Sequence, residues 1–234
     1  MLVFALQLVR VADTWSASWD EPHHLYDGYT VWTTSDHRLN PEVPPLVKLA
    51  AAAPLLRAKL FVPPNRGRPE PEEAFRDGRT FVFANGPART LLPARYACML
   101  FALALAGLVA AAAWRLCGPA AAVAALVLAT FDPTLLANGP LVTTDVASAL
   151  FIFAASLAFA RAARPPLRLA WLAAAGVAAG CAMTAKFTGV LLAPILLALA
   201  LWDAFVARDV RVLRRRLLDW AAVLVIAWIG VWAV

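Results

Sequence analysis

Residues 96–114 read YACMLFALALAGLVAAAAW and contain no charged residue, which is enough apolar chain to cross a bilayer as a helix. Because lipid offers backbone N–H and C=O groups no partners, such a segment is stable there when its hydrogen bonds close within a helix. The whole chain is similarly apolar, since 62% of its 234 residues are hydrophobic, 15% are charged and the mean hydropathy is +0.70. This composition excludes a water-soluble domain and a disordered chain, and it predicts an all-α, polytopic bundle of transmembrane helices.

Five further uncharged segments follow toward the C-terminus. They cover residues 116–131, 146–160, 169–185, 187–202 and 220–234. At the other end, residues 1–9 are apolar but too short to cross a bilayer, and the chain is still apolar at its last residue. We therefore expect a fragment with a partial first transmembrane helix at 1–12, an extracytoplasmic loop at 13–93, and transmembrane helices at 94–234, of which the last is truncated.

The distribution of basic residues predicts how the helices are oriented. Alternate short connections between the apolar segments are rich in arginine: Arg115; Arg161, Arg164 and Arg168; and Arg208, Arg211, Arg214, Arg215 and Arg216. Short loops of this kind face the cytoplasm, so residues 132–145, 184–188 and the long loop 13–93 are expected outside. The net charge of +6 is thereby assigned to membrane topology, and no nucleic-acid partner is expected.

The long outer loop is expected to contain amphipathic helices that lie in the membrane interface. Pro22 predicts that the first helix ends near Asp20 and Glu21 and that a new helix starts there. In that new helix Leu25, Tyr29 and Trp32 recur at helical spacing, with Tyr26 beside them, which is typical of an interfacial helix.

A second interfacial helix is predicted to start at Pro44-Pro45 and to be interrupted at Pro54. Its inward face is expected to carry Leu46, Leu49, Leu56 and Leu60. Beyond it, residues 62–93 are polar and rich in proline, with the run Glu70-Pro71-Glu72-Glu73, which favours an irregular loop.

Several charged residues are candidates for chemistry. Asp20 follows an uncharged run that contains two tryptophans, and a charge in such surroundings marks a functional site. Asp145 heads an apolar segment, where a carboxylate is either a helix cap or a functional acid. Lys186 is either a snorkelling lysine or an anion-binding one. The remaining loop charges are interpreted as solvated: Asp27, Asp36 and Arg38.

Several motifs in order give the sequence a family resemblance. The first outer loop contains DEPH at 20–23, GY at 28–29 and RLNPEVPPLVKL at 38–49. Shorter motifs follow at 88–96, 115–119, 132–139 (DPTLLANG), 141–145 (LVTTD) and 184–188 (TAKFT). The chain resembles bacterial polytopic glycosyltransferases of the GT-C superfamily, whose relatives include protein O-mannosyltransferases and lipid A aminoarabinose transferases.

The resemblance implies a membrane glycosyltransferase of the bacterial inner membrane with an extracytoplasmic site. It implies a polyprenyl-phosphate sugar donor in the membrane lipid and a protein or lipid acceptor. The residues that match the family's motifs are catalytic Asp20, Glu21 and Asp145, and substrate-binding Lys48, Lys186, Glu42 and Arg38. This chain departs from the family pattern at Val43, where relatives often have a histidine.

In the chemistry that the resemblance implies, a phosphate leaving group needs no protonation. A single carboxylate base on the acceptor hydroxyl then suffices, and Asp20 is the candidate. Lys48 and Lys186 are candidates to neutralise the phosphate, and Asp145 with Glu42 to position the acceptor.

The need for a metal ion and two other functions stay open. No cofactor is specified, and a divalent cation remains an option because the sequence shows no ligand set specific to one. The adjacent His23 and His24 do not share a helical face and are weak metal-ligand candidates. The alternative functions are a transporter or flippase for polyprenyl lipids and an inactive membrane fragment.

Overall fold

The computed structural model describes residues 1–64, 71–164, 166 and 168–233. These residues form helices and no strand, which confirms the all-α prediction. The chain divides into two compact units, Met1–Ala147 and Ser148–Val234.

The first unit contains seven α-helices in its described residues and the start of an eighth. They are α1 (Leu2–Thr14), α2 (Glu21–Thr34), α3 (Pro45–Ala52), α4 (Pro71–Asn85), α5 (Pro87–Cys117), α6 (Pro119–Phe131), α7 (Pro133–Asn138) and the start of α8 (Asp145–Arg161). A 3₁₀ turn, Ala53–Leu55, extends α3. One core of this unit lies where α1 packs on α5, and it includes Phe4, Leu8, Met99 and Ala102.

In its described residues the second unit contains most of α8 and three further α-helices. They are α9 (Arg168–Ala185), α10 (Leu192–Ala207) and α11 (Val210–Trp232), and the 3₁₀ helix Phe187–Leu191 precedes α10. Small residues let α9 and α11 approach closely, since a Cβ on Gly176 would lie 2.5 Å from Cβ of Ile226. Such small-residue contacts are typical of packing between membrane helices.

Within the part of the chain that the structure describes, three helical segments are long and apolar enough to cross a membrane: Pro87–Cys117, Arg168–Ala185 and Phe187–Ala207. They contain three of the six predicted spans. The other three predicted spans also fall in helices, namely α6, α8 and α11, but α6 and α8 are shorter and α11 carries charges near its start. Val234, the last residue of the sixth predicted span, lies outside the described residues.

The predicted end of the first helix near Asp20 is wrong, because α1 ends at Thr14. The physical reason is Arg95 on α5, whose guanidinium lies at this point. Its Nη1 donates to the carbonyls of Ala12 and Trp15, both at 2.8 Å, and its Nη2 donates to the carbonyl of Ser16 at 2.9 Å. A cation that binds the last free carbonyls stabilises a helix end.

The predicted irregular loop at 62–93 is also wrong for most of its described part, which contains α4 and the start of α5. Its residues 65–70, including Glu70, lie outside the described residues. Pro71 and Pro87 begin these helices, since proline at the first helical position loses no hydrogen bond. Glu72 and Glu73 occupy the first turn of α4, where the helix dipole favours negative charge.

The prediction that α2 lies in the interface fails because every residue from Glu21 to Val31 is buried. Helices α3, α4 and α5 pack around α2. Glycine makes two of these contacts close: a Cβ on Gly28 would lie 2.1 Å from the carbonyl oxygen of Lys48, and one on Gly78 would lie 2.8 Å from that of Pro22. The start of α2 at Glu21, with Pro22 in its first turn, agrees with the prediction.

The predicted inward face of α3 is offset from the observed one. The buried residues are Val47, Lys48, Ala51, Ala52 and Leu55, whereas Leu56 is 41% exposed. The close contact with Gly28 and an ion pair of Lys48, described below, turn this different face toward α2.

Candidate active site

Two adjacent carboxylates at the start of α2 differ in their exposure to solvent. Asp20 is the residue before the helix and is exposed, whereas Glu21 is completely buried. The pair that the sequence places side by side therefore divides into one accessible and one inaccessible acid.

The Glu21 carboxylate accepts four hydrogen bonds. Arg95 binds it with both prongs of its guanidinium, Nε to Oε1 at 2.9 Å and Nη2 to Oε2 at 2.7 Å. The backbone N–H of Ser18 donates to Oε2 at 2.8 Å and that of Val142 donates to Oε1 at 3.1 Å. These donors match the roughly four lone-pair sites of a carboxylate. The hydrogen-bonding capacity of the Glu21 carboxylate is therefore used by its neighbours in the fold.

Val142 connects the two acid motifs of the sequence. Its N–H binds Glu21, and its carbonyl accepts a hydrogen bond from Nδ1 of His24 at 2.9 Å. The motif 141–145 is therefore attached to the first turn of α2 at two points. Asp145 follows three residues later, so its Cα lies within about 11 Å of that of Val142. Asp145 begins α8, as predicted, and is exposed.

Two buried histidines lie next to Asp20. Nε2 of His23 lies 3.3 Å from the carbonyl oxygen of Leu39. Burial lowers the pKa of His23 to about 4 and also lowers the pKa of His24. The hydrogen bonds to the carbonyls of Leu39 and Val142 oppose this shift, and the charge of Asp20 opposes it to a smaller extent. Both imidazoles are therefore neutral at physiological pH, and Asp20 supplies the accessible negative charge.

Lys48 is held inside the fold. Its side chain is 4% exposed, its Nζ lies 2.5 Å from Oδ2 of Asp27, and it donates to the carbonyl of Asn40 at 2.9 Å. Burial raises the pKa of Asp27 and lowers that of Lys48, and the attraction between them opposes both shifts. The interpretation of Asp27 as a solvated loop charge is wrong, because two glycine contacts enclose α2 among its neighbours.

The other predicted site residues lie in different places. Arg38 is exposed and forms a bidentate pair with Asp36, at 2.8 and 2.7 Å. Glu42 is exposed in the loop before α3. Lys186 belongs to the second unit, where it is half-buried and precedes the 3₁₀ helix Phe187–Leu191. In the described residues no cluster of three or more His, Cys, Asp or Glu side chains is positioned to hold a metal ion.

Residues 87–233 match the family model of the dolichyl-phosphate-mannose-protein mannosyltransferases, which is more than half of the chain. The chain belongs to this family. Comparison with curated proteins and with solved structures found no match. Together with the three apolar helices, the family shows an integral membrane protein related to mannosyltransferases.

The matched segment contains Arg95, Val142, Asp145 and Lys186, whereas the motifs at 20–49 precede it. The contacts of Glu21 therefore join the matched segment to the part of the chain outside the match. This junction makes residues 20–49 part of the same compact unit as residues 87–147.

Sequence reasoning missed Arg95, although a signal for it was present. Arg95 directly precedes the uncharged segment that begins at Tyr96, and an arginine at the end of a membrane span needs a partner. The contact of His24 with Val142 had no such signal, because it joins residues that are 118 positions apart.

An open groove of about 800 Å³ between Trp19 and α4 was also not predicted. Trp19, the residue before Asp20, forms one of its walls, and the outer face of α4 forms the other.

Proposed function

We propose that the protein transfers a sugar from a polyprenyl-phosphate donor to an acceptor hydroxyl at the extracytoplasmic face of the membrane. The family supports glycosyl transfer, and its description names a lipid-phosphate sugar. The observation that carries the proposal is the attachment of Val142 to both Glu21 and His24. It attaches the motif that leads to Asp145 to the helical turn that follows exposed Asp20, which supports a role for both acids in one site.

In the proposed reaction Asp20 is the general base. Its carboxylate accepts the proton of the acceptor hydroxyl while that oxygen forms a bond to the anomeric carbon of the sugar. The bond from this carbon to the phosphate oxygen breaks, and the electron pair leaves with the polyprenyl phosphate. The products are the glycosylated acceptor, the free lipid phosphate and protonated Asp20, so the leaving group needs no acid.

We assign Glu21 and Arg95 to positioning. Because both Glu21 oxygens are engaged, this carboxylate fixes the turn that presents Asp20 and the motif that leads to Asp145. Lys48 has a comparable internal role, since its ammonium holds α3 against α2 through Asp27. The proposal therefore moves Lys48 from phosphate binding to support of the site.

The exposed charged residues remain candidates for substrate contacts. Asp145 and Glu42 are proposed to orient the acceptor, and Lys186 and Arg38 are proposed to contact charged parts of the substrates. The arginine-rich connections on the opposite side of the predicted spans support an outward-facing site.

The experiment compares Asp20→Asn with Asp13→Asn in membranes that contain the protein. Asp13 is an exposed carboxylate of the same unit that accepts a hydrogen bond from Tyr96, and asparagine can keep that bond. Loss of a general base is expected to reduce sugar transfer from a radiolabelled lipid-phosphate sugar by about 10²–10⁴-fold. Asp13→Asn is expected to transfer at the wild-type rate. Wild-type transfer by Asp20→Asn would remove Asp20 from the reaction.

A further inference from the structure

The groove between Trp19 and α4 combines aromatic and cationic side chains. Trp19 and Phe83 lie along it and are 71% and 54% exposed. Phe75 lies between Trp19 and His23, with ring-centroid distances of 5.7 Å and 4.3 Å. Arg76 and Arg79 line the same groove. A ligand here would therefore contact apolar rings and guanidinium groups together.

The two arginines are arranged to act on one anion. They are three residues apart on α4, a spacing that places two side chains on one face of a helix with Cβ atoms about 5–6 Å apart. Both belong to the outward face of α4, and the side chain of Arg76 is 65% exposed. Its contact with Glu73 is long, at 3.7 Å, and Glu72 adds one negative charge to the groove. A planar guanidinium group binds two phosphate oxygens at once, so this arrangement of arginines suits an anionic ligand.

The position of α4 is fixed relative to Asp20. Gly78 lies between the two arginines in sequence and faces α2, where a Cβ would lie 2.8 Å from both the Pro22 oxygen and the His23 Cα. Ala74, Phe81 and Val82 are buried on the same inner face of α4. The arginines are therefore held on the outer side of a helix that is packed directly on the turn after Asp20.

We infer that Arg76 and Arg79 bind the phosphate of the lipid-linked sugar donor, with the first part of its apolar chain on Trp19, Phe75 and Phe83. This inference rests on the proposed function, and it gives the phosphate a site in place of buried Lys48. The two exposed arginines can reach a ligand without breaking a buried ion pair, whereas Lys48 would have to leave Asp27. The exposed aromatic rings favour an anion that carries an apolar chain, because they offer the chain an apolar surface.

The test measures binding of farnesyl phosphate, a short polyprenyl phosphate, to the purified chain in detergent by calorimetry. The double variant Arg76→Gln/Arg79→Gln is expected to bind it about tenfold to a hundredfold more weakly. Arg76→Lys/Arg79→Lys is expected to keep part of the affinity. The matched control, Arg10→Gln/Arg57→Gln, removes two exposed arginines of the same unit outside the groove and is expected to bind as the wild type does. Farnesol, which lacks the phosphate, is expected to bind equally weakly to wild type and double variant.

Several outcomes separate this inference from the proposed function. Undiminished farnesyl phosphate binding by the double glutamine variant would overturn the inference, and Asp20→Asn could still abolish transfer. If the wild type transfers sugar and the double variant keeps its KM for the donor, the groove is not the phosphate site. If the wild type neither binds farnesyl phosphate nor transfers sugar, the proposed function fails together with the inference. An equal loss of affinity in the Arg10/Arg57 control would show that general positive charge, rather than the groove, attracts the lipid.

Discussion

Each compact unit of the chain buries an arginine against carboxylates, but the two arginines have different surroundings. In the first unit Arg95 binds Glu21 and three backbone carbonyls below exposed Asp20. In the second unit Arg216 pairs with Asp203 at 2.9 Å and with Asp219 at 3.3 Å. Arg216 also donates to the carbonyl of Phe159 at 3.1 Å, and its guanidinium carbon lies 4.0 Å from the centroid of the Phe159 ring.

Under the proposed function, this difference separates a network that supports the site from one that only holds helices together. The Arg216 network joins α8, α10 and α11, and Arg168 of α9 pairs with Asp219, so its partners are all helices of the second unit. The Arg95 network also holds non-helical backbone, at 15–18 and at Val142, on either side of the candidate base. Burial of an ion pair carries a large desolvation penalty in both units. In the first unit, we propose that the pair serves to impose geometry on the proposed site.

The largest expected effect comes from Arg95→Met, which leaves Glu21 buried without its cation. Removal of one partner of a buried pair destabilises a protein by about 3–5 kcal/mol. We expect a strongly lowered unfolding temperature in detergent and loss of sugar transfer. The double variant Glu21→Gln/Arg95→Met is expected to be more stable than Arg95→Met, because no uncompensated charge remains. Unfolding of Arg95→Met at the wild-type temperature would contradict this account of the first unit.

Arg216→Met is expected to destabilise the protein less than Arg95→Met does, because Asp219 keeps its pair with Arg168 and the Asp203 side chain is 35% exposed. At a temperature where the variant remains folded, its sugar transfer is expected to match the wild type. The measurement is the transfer rate divided by the amount of folded protein, from size-exclusion chromatography. A loss of transfer equal to that of Arg95→Met would mean that the two networks do not differ in function.

The sequence predicted those parts of the fold that depend on uncharged runs. Segments 96–114 and 169–185 lie within α5 and α9 because such runs are stable in lipid as helices. Helix α4 was missed because its flanking prolines were interpreted as breakers, whereas Pro71 and Pro87 each open a helix. A proline is compatible with the start of a helix and with an irregular loop, and the local sequence does not distinguish these two structures.

The sequence indicated candidate residues for the proposed site but not their surroundings in the fold. The motif at 20–23 correctly indicated a helix start with two acids, yet the division of Asp20 from Glu21 depends on Arg95, which is 74 residues away from Glu21. Burial of Asp27 and Lys48 likewise depends on contacts of Gly28 with α3. Such distant contacts leave no periodic signal in the chain.

A smaller effect is expected from acid, through His23. Its pKa is lowered from 6.5 to about 4 in the folded protein, so the unfolded state binds a proton in this range and the folded state does not. This contribution to stability is complete above about pH 6.5 and is lost as the pH falls toward 4, with an upper limit of about 3 kcal/mol. We expect His23→Gln to flatten the pH dependence of unfolding between pH 4 and 6.5. His37→Gln, at an exposed histidine, is the control and is expected to keep the wild-type slope.

The smallest effect is expected at the pair of Arg38 and Asp36, in which the arginine is exposed and the Asp36 side chain is 10% exposed. This pair tests whether burial of the arginine is what distinguishes the two networks. The Arg38 side chain is 61% exposed, so water and salt screen its bidentate contact with Asp36. Arg38→Gln is expected to leave the unfolding temperature close to that of the wild type, and added salt is expected to reduce any difference further. The measurement is thermal unfolding in detergent at low and high salt, together with the donor KM. A loss near that of Arg95→Met would show that bidentate geometry, rather than burial, sets the stability of these pairs. A raised KM at unchanged stability would instead support the proposed contact of Arg38 with a substrate.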